Sequence, residues 1–285
     1  MASPIHVTEC PRDAMQGLKT FVPTELKAEY INLLLKVGFD TIDFGSFVSP
    51  KAIPQMADTA QVLEHLDMSD TRSKLLAIIA NYRGGEEAAS HEQITYLGYP
   101  FSISETFQQR NTNSGIAQSF ELVKQLQDLC ATNSKQLLVY LSMGFGNPYG
   151  DDWGTQIVLD WAGKLADERI KFIALSDTVG AATPKQINTL YPLLAASLPN
   201  VNIGLHLHST PEDLQEKIAA AYQSGCRRLD TAIKGYGGCP MAKDDLTGNI
   251  ATEAVLAYLD RQNINTGLNM QAFAEAIKFS GKIFE

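Results

Sequence analysis

Basic residues are the minority charge in this 285-residue chain: 23 lysines and arginines stand against 32 aspartates and glutamates, for a formal net charge of -9. Nonspecific nucleic-acid binding needs a basic surface to neutralise phosphates, so that class is excluded. No apolar run approaches the roughly 18 residues that cross a bilayer, which leaves no membrane-spanning segment to expect. The opening Met-Ala-Ser-Pro-Ile-His has neither a basic leader before an apolar block nor an Arg/Ser-rich amphipathic stretch, so no export or organelle signal is read there. Cysteine is scarce too. Cys10, Cys130, Cys226 and Cys239 lie far apart without Cys-x-x-Cys spacing, which argues against structural zinc and a disulfide framework and makes a reducing cytoplasm the expected setting. A glycine-rich dinucleotide turn is also missing: the first strand-like run enters Cys10-Pro-Arg-Asp13 instead.

What is present is ordinary globular composition, with 45% hydrophobic and 19% charged residues. Strand-like runs recur at 5–10, 41–47, 74–80, 101–107, 136–143, 171–177, 202–209 and 228–234. Helical patterns lie between them. One has Leu214, Ile218, Ala221 and Tyr222 on a single face, entered through Thr210-Pro-Glu-Asp213; another covers 185–198, opened by Thr183-Pro184 and closed by Pro199. Strand and helix alternating about every 30 to 35 residues indicate parallel strands joined by crossover helices. The expectation is one α/β domain spanning 1–285, a (β/α)8 TIM barrel, with an extra C-terminal helix at 269–282 packed across the barrel or on a partner subunit. A doubly wound open sheet is the competing arrangement, with fewer strands as a rule.

A barrel of this kind builds its active face from the C-terminal strand ends and the loops that follow. The unusual polar residues fall there: Arg12, Asp13 and Gln16 after the first run, Asp43 and Ser46 on the second, Glu105 on the fourth, Tyr140 and Ser142 on the fifth, Asp177 on the sixth. The seventh run, Asn202-Ile-Gly-Leu-His-Leu-His-Ser209, carries His206 and His208. Strand residues two apart share a face, so both imidazoles can converge on one cation. Asp13 and Asn249 add two oxygen donors, and this mixed set fits octahedral Mg²⁺ or Mn²⁺ better than tetrahedral zinc. Taken singly, two core histidines, an Asp13 ion pair and an Asn249 helix cap account for the same residues. The eighth loop, Lys234-Gly-Tyr-Gly-Gly-Cys-Pro240 onward, is glycine-rich and suits a lid.

Several segments together resemble the 3-hydroxy-3-methylglutaryl-CoA lyase family, within the wider group of metal-dependent carbon-carbon lyases and Claisen synthases. They are Pro11-Arg-Asp-Ala-Met-Gln16, Ser46-Phe-Val-Ser-Pro-Lys51, Pro54-Gln-Met56, Ser176-Asp-Thr-Val-Gly180, His206-Leu-His208, Gly237-Gly-Cys-Pro240 and Gly248-Asn-Ile-Ala-Thr-Glu253. The resemblance implies cleavage of a 3-hydroxy-3-methylglutaryl thioester to acetyl-CoA and acetoacetate. By position it implies a metal on Asp13, His206, His208 and Asn249, enolate stabilisation by Arg12, and Cys239 in a mobile loop over the substrate. Asp43 takes the place of a family glutamate. His206 or a neighbouring carboxylate is then the candidate base and Cys239 a candidate proton donor.

For the substrate, Gln16, Ser46 and Asp177 are the expected contacts. The segment 108–114, read as following the fourth strand and opening a helix, offers Arg110, Asn111 and free amides to the phosphates of coenzyme A, with Lys19 and Lys51 adding charge. A homodimer is implied by the resemblance alone. Three positions depart from the family pattern: Thr8 replaces a glutamate, Ala14 a glycine, and Ser209 an aspartate after His-x-His. Lost carboxylates behind metal ligands typically cost about 10- to 100-fold in affinity or activity. A metal- or acyl-CoA-binding barrel without turnover is therefore the rival reading, and a Claisen synthase, which generally carries a further C-terminal domain, the third.

Overall fold

The computed structural model describes residues 4–238 and 247–285. Eight parallel strands close into a barrel in chain order: β1 (His6–Glu9), β2 (Thr41–Ser46), β3 (Lys74–Ile78), β4 (Ile94–Ser102), β5 (Gln136–Ser142), β6 (Phe172–Ser176), β7 (Asn202–His206) and β8 (Arg228–Thr231). β8 returns to pair with β1, His6 opposite Arg228 and Thr8 opposite Asp230. The expected (β/α)8 barrel is the observed fold.

Alternation along the strands separates two cores. On β5, Leu137, Val139 and Leu141 join the large apolar layer beneath the surrounding helices, whereas Leu138 and Tyr140 join a smaller cluster with Leu76, Ile78, Tyr96 and Ala174. That smaller cluster fills the barrel interior. Below it Arg228 crosses the lumen, its Nη2 donating to the Ile173 carbonyl at 2.8 Å. It passes where Gly204 has no side chain, since a Cβ there would meet the guanidinium Nε at 2.4 Å.

Four local readings differ from expectation. The fourth strand is Ile94–Ser102, not 101–107, because Ser104 accepts a hydrogen bond from the Phe107 N–H and starts the helix Glu105–Thr112. The alternation Phe101-Ser-Ile-Ser-Glu mimics a strand, but Glu105 lies on that helix. The run 202–209 is two strands: β7 ends at His206, and His208–Ser209 pairs antiparallel with Gly248–Asn249. The eighth run ends at Thr231 and passes into a short 3₁₀ turn, Ile233–Gly235. The helix after Thr210 begins at Leu214, because the Asp213 carboxylate accepts the Thr210 N–H at 2.8 Å and closes a turn first. The helix Pro184–Ser197 begins where read, with a reciprocal cap between Thr183 and Gln186.

The last helix, Met270–Phe284, packs along Thr24–Val37 on the outside of the barrel. Phe279 stacks on Tyr30 with ring centroids 6.2 Å apart, and Phe273 meets Phe39 edge-on at 6.2 Å. No helix among the described residues is long and apolar enough to cross a membrane. Because Phe273 is buried, Phe273→Ala is expected to cost about 3–5 kcal/mol in urea unfolding. A loss below about 1 kcal/mol would mean that this helix is not docked as described.

Candidate active site and metal centre

At the C-terminal mouth of the barrel, ligand atoms of Asp13, His206 and His208 all lie within 4.8 Å of one another. Asp13 comes from the short helix Pro11–Met15 after β1, His206 from the end of β7, and His208 from the small strand beyond it. The antiparallel pairing sets Asn249 opposite His208. Asn249 Nδ2 donates to Asp13 Oδ2 at 2.8 Å and to the Tyr236 carbonyl at 2.9 Å, which leaves Oδ1 as its donor atom toward a cation. Gly237 makes this closure possible: at φ +85, any Cβ would stand 2.7 Å from the Asp13 carbonyl oxygen and Ala14 Cα.

Each imidazole is oriented from behind. His206 Nδ1 sits 3.2 Å from Asp230 Oδ2, and His208 Nδ1 sits 3.2 Å from the Thr178 carbonyl oxygen. A ring that donates through Nδ1 keeps a lone pair on Nε2. Among the described residues His208 Nε2 is buried without a hydrogen-bond partner, which costs about 1–3 kcal/mol unless something takes that lone pair. Burial pulls His208 down to about 4, assisted by His206, so its ring is neutral at pH 7. Burial opposes a charged His206, but the hydrogen bond and charge of Asp230 prevail and raise it. Burial also opposes an ionised Asp13, yet Arg12 and the two imidazoles hold it at about 2. Three buried carboxylates, Asp13, Asp43 and Asp230, share the mouth with Arg12 and with His206, whose charged form Asp230 favours, so negative groups still outnumber positive ones. A divalent cation on two imidazole nitrogens and two oxygens fits both the orphaned nitrogen and the charge. Asp230 reaches His206 from the neighbouring strand β8.

Arg12 lies in a frame of carboxylates. Its Nη2 donates to Asp43 Oδ2 at 2.6 Å and its Nε reaches Oδ1 at 3.2 Å, while Nη1 donates to Asp13 Oδ1 at 3.0 Å and Gln16 Oε1 at 2.9 Å. Gln16 Nε2 returns a bond to Asp13 Oδ1 at 2.7 Å. Burial works against the guanidinium charge, but Asp43 and Asp13 outweigh it and raise its pKa. Burial pushes Asp43 up to about 6 in spite of Arg12, leaving it ionised at pH 7. Ser46 Oγ, at the end of β2, is buried without a partner.

Other expected contacts are elsewhere or differently employed. Lys19 and Lys51 are exposed. Arg110 and Asn111 occupy the last turn of Glu105–Thr112, not a helix start, so the segment 108–114 offers no cradle of free amides. The next helix N-terminus is capped by Glu105, whose Oε2 accepts the Ile116 N–H at 3.0 Å, and Arg110 lies over the Tyr149 ring. Asp177 is engaged within the protein: Oδ1 accepts the Ala182 N–H at 3.0 Å and Oδ2 pairs with the buried Lys217 at 3.3 Å. Lys217 Nζ also donates to the His208 carbonyl at 2.8 Å, so this pair braces the metal-side strand. Cys239 lies outside the described residues.

Sequence reading singled out neither Asp230 nor Lys217. Asp230 shares an alternating face with Arg228, a signal that could have placed it inside the barrel. Glu9 is buried on the outer face of β1, its Oε1 accepting the Ile233 N–H at 2.8 Å. Thr252 Oγ1 lies 2.6 Å from Glu9 Oε2 and 2.9 Å from Thr231 Oγ1, and Thr231 Oγ1 donates to the Thr8 carbonyl at 3.1 Å. One hydroxyl hydrogen cannot serve both neighbours of Thr252, so the run is satisfied when Glu9 carries a proton. Burial favours the same state, raising Glu9 to about 8.

A closed barrel whose mouth joins two strand-borne imidazoles, a carboxylate and an amide beside a fixed guanidinium defines a class of metal-site TIM-barrel proteins. Comparison with known proteins narrows the class. The HMGL-like family model matches residues 5–279, and the chain belongs to that family. It is 32% identical to the mitochondrial hydroxymethylglutaryl-CoA lyase of Mus musculus over 94% of this chain and 82% of the relative. Identity to the hydroxymethylglutaryl-CoA lyase YngG of Bacillus subtilis is also 32%, over 94% of this chain and 89% of that one. The crystal structure of the Bacillus subtilis HMG-CoA lyase superposes with TM-score 0.91 at 31% identity, covering 99% of this chain and 95% of the other. An Acinetobacter baumannii HMG-CoA lyase solved in complex with coenzyme A and 3-methylmalate gives TM-score 0.90 at 29% identity, covering 100% and 93%.

Two outcomes test these assignments. Lys217→Met strands a buried Asp177 charge and is expected to cost about 3–5 kcal/mol in urea unfolding. Unchanged stability with a raised KM would instead make Asp177 a substrate contact. Glu9 is protonated when folded and ionised when unfolded between pH 4.5 and about 8, so its stabilising contribution is full below 4.5 and is lost as pH rises through 8. Glu9→Gln should flatten stability across that window; an unaltered pH profile would show that Glu9 is ionised in the native state.

Proposed function

We propose that this chain is a divalent-metal-dependent carbon-carbon lyase that cleaves 3-hydroxy-3-methylglutaryl-CoA to acetyl-CoA and acetoacetate. The observation that carries the reading is the convergence of Asp13, His206, His208 and Asn249 beside Arg12 at one strand end of the barrel. The family and the lyases it resembles over nearly its whole length support it.

Breaking the carbon-carbon bond removes the proton of the tertiary hydroxyl while negative charge builds on the thioester oxygen. Mg²⁺ or Mn²⁺ held by Asp13, His206, His208 and Asn249 would acidify that hydroxyl and supply several kcal/mol of charge stabilisation. Arg12 receives the second charge. Of the five guanidinium N–H groups, four are committed to Asp43, Asp13 and Gln16, and one on Nη2 remains to donate to an enolate oxygen. Asp43 fixes the plane of that donor. His206 is a poor base, because Asp230 holds Nδ1 and its other nitrogen would be taken by the cation. The proton therefore falls to a neighbouring carboxylate, and Asp43, at about 6 and held through Oδ1 only at 3.2 Å, has the suitable pKa. Cys239 keeps the role the resemblance gives it, proton donor to the enolate carbon.

Coenzyme A is the acyl carrier in this reading, in keeping with the relative solved in complex with it. Lys19 is the exposed cation near the Arg12 helix that would meet its phosphates. The setting is a reducing cytoplasm, consistent with Cys10, Cys130 and Cys226 being free thiols, and the homodimer is carried over from the resemblance.

A coupled assay for acetoacetate with added Mg²⁺ or Mn²⁺ tests the function: product that disappears on chelation supports it, and acyl-CoA binding without product favours the non-catalytic barrel. Arg12→Met is expected to lower kcat about 10²- to 10³-fold with Mn²⁺ affinity changed less than tenfold. A near-native rate would remove Arg12 from the mechanism.

A further inference from the structure

His206 has two ring nitrogens, and the lyase reading gives a cation to only one side of it. On the other side stands a second convergence. In the barrel register Asp230 pairs with both His206 on β7 and Thr8 on β1, and Cys10 lies two residues beyond Thr8 on the same face. Ligand atoms of Cys10, His206 and Asp230 lie within 4.8 Å of one another, and all three residues are buried. The Cys10 N–H is fixed by the Thr231 carbonyl at 2.9 Å, while its Sγ makes only a long contact of 4.0 Å to the Thr8 carbonyl among the described residues. Tyr140 meets His206 edge-on with ring centroids 5.6 Å apart, and its buried hydroxyl has no partner among the described residues.

We propose that Cys10, His206 and Asp230, with the Tyr140 hydroxyl as a further donor, form a second cation site selective for thiophilic divalent ions such as Zn²⁺ or Cd²⁺. Sulfur, nitrogen and oxygen donors suit these ions, whereas Mg²⁺ and Mn²⁺ avoid thiolate. Binding releases the thiol proton and the His206 Nδ1 proton to solvent. It also takes Asp230 away from its hold on His206, so an ion here inhibits an enzyme working with a hard cation in the first site. The site itself does not depend on which thioester the protein cleaves; only the inhibition does.

The test titrates Cd²⁺ into Cys239→Ser protein saturated with Mg²⁺, and follows the ultraviolet thiolate-to-cadmium charge-transfer band. The expected result is a band saturating at one equivalent that is absent in Cys10→Ser and in Cys10→Ala, both of which still bind Mn²⁺, and that needs about tenfold or more extra Cd²⁺ in Asp230→Asn. In the otherwise unaltered chain, micromolar Zn²⁺ should suppress Mg²⁺-supported acetoacetate release, and Cys10→Ser should relieve it. Absence of the band in the parent protein, or its persistence in both Cys10 variants, overturns the proposal. A band without any acetoacetate release in any sample leaves the site standing and counts against the lyase reading instead.

Discussion

The mouth of this barrel is organised by one ion pair, Arg12 with Asp43, embedded among largely buried charges. A buried carboxylate is tolerated only when paired and hydrogen-bonded, and here one guanidinium serves Asp43 and Asp13 at once. Its fork geometry ties β2 to the helix after β1, and with it the position of the Asp13 carboxylate. The remaining negative charge, on Asp13 and Asp230, faces the two imidazoles. What makes the site expensive to bury is thus what makes it receptive to a divalent cation.

The rest of the molecule supports that arrangement in layers. Aliphatic and aromatic side chains plug the lumen below Tyr140, so the polar groups exist only at the strand ends. On the flank, Lys217 and Asp177 form a second buried pair that also holds the His208 carbonyl, bracing the small strand on which His208 sits. On the opposite flank Glu9, in a run of hydroxyls, anchors the start of the loop that reaches over Asp13 at Gly237. Metal-side geometry is therefore set from three directions, each through a buried polar contact with a different charge state: an ion pair, a lysine clamp and a neutral acid.

Pattern reading found the barrel because period-two apolar runs and capped helices repeat along the chain. It failed where a local signal competes with a longer-range one. Phe101-Ser-Ile-Ser-Glu alternates like a strand, yet the Ser104 cap starts a helix there, and this displaced the proposed phosphate dock onto a helix C-terminus. Asp177 looked like a strand-end substrate contact because its partner, Lys217, is 40 positions away and shows in sequence only as a charge on a helix. Asp230 escaped notice because the imidazole it holds, His206, lies on the adjacent strand 24 positions away.

The amino-acid order by itself determined the element alternation, the eight-strand barrel, the absence of a membrane-spanning helix among the described residues and the choice of Asp13, His206, His208 and Asn249 as candidate donors, since each rests on periodicity or side-chain chemistry. Only the tertiary structure decided that Asn249 meets Asp13 across 236 positions, that Asp230 stands behind His206, and that Asp177 belongs to Lys217. The reason is physical: a side chain's chemistry is local, but whether a buried charge is a ligand, a brace or a base depends on the partner that closure of the barrel brings against it.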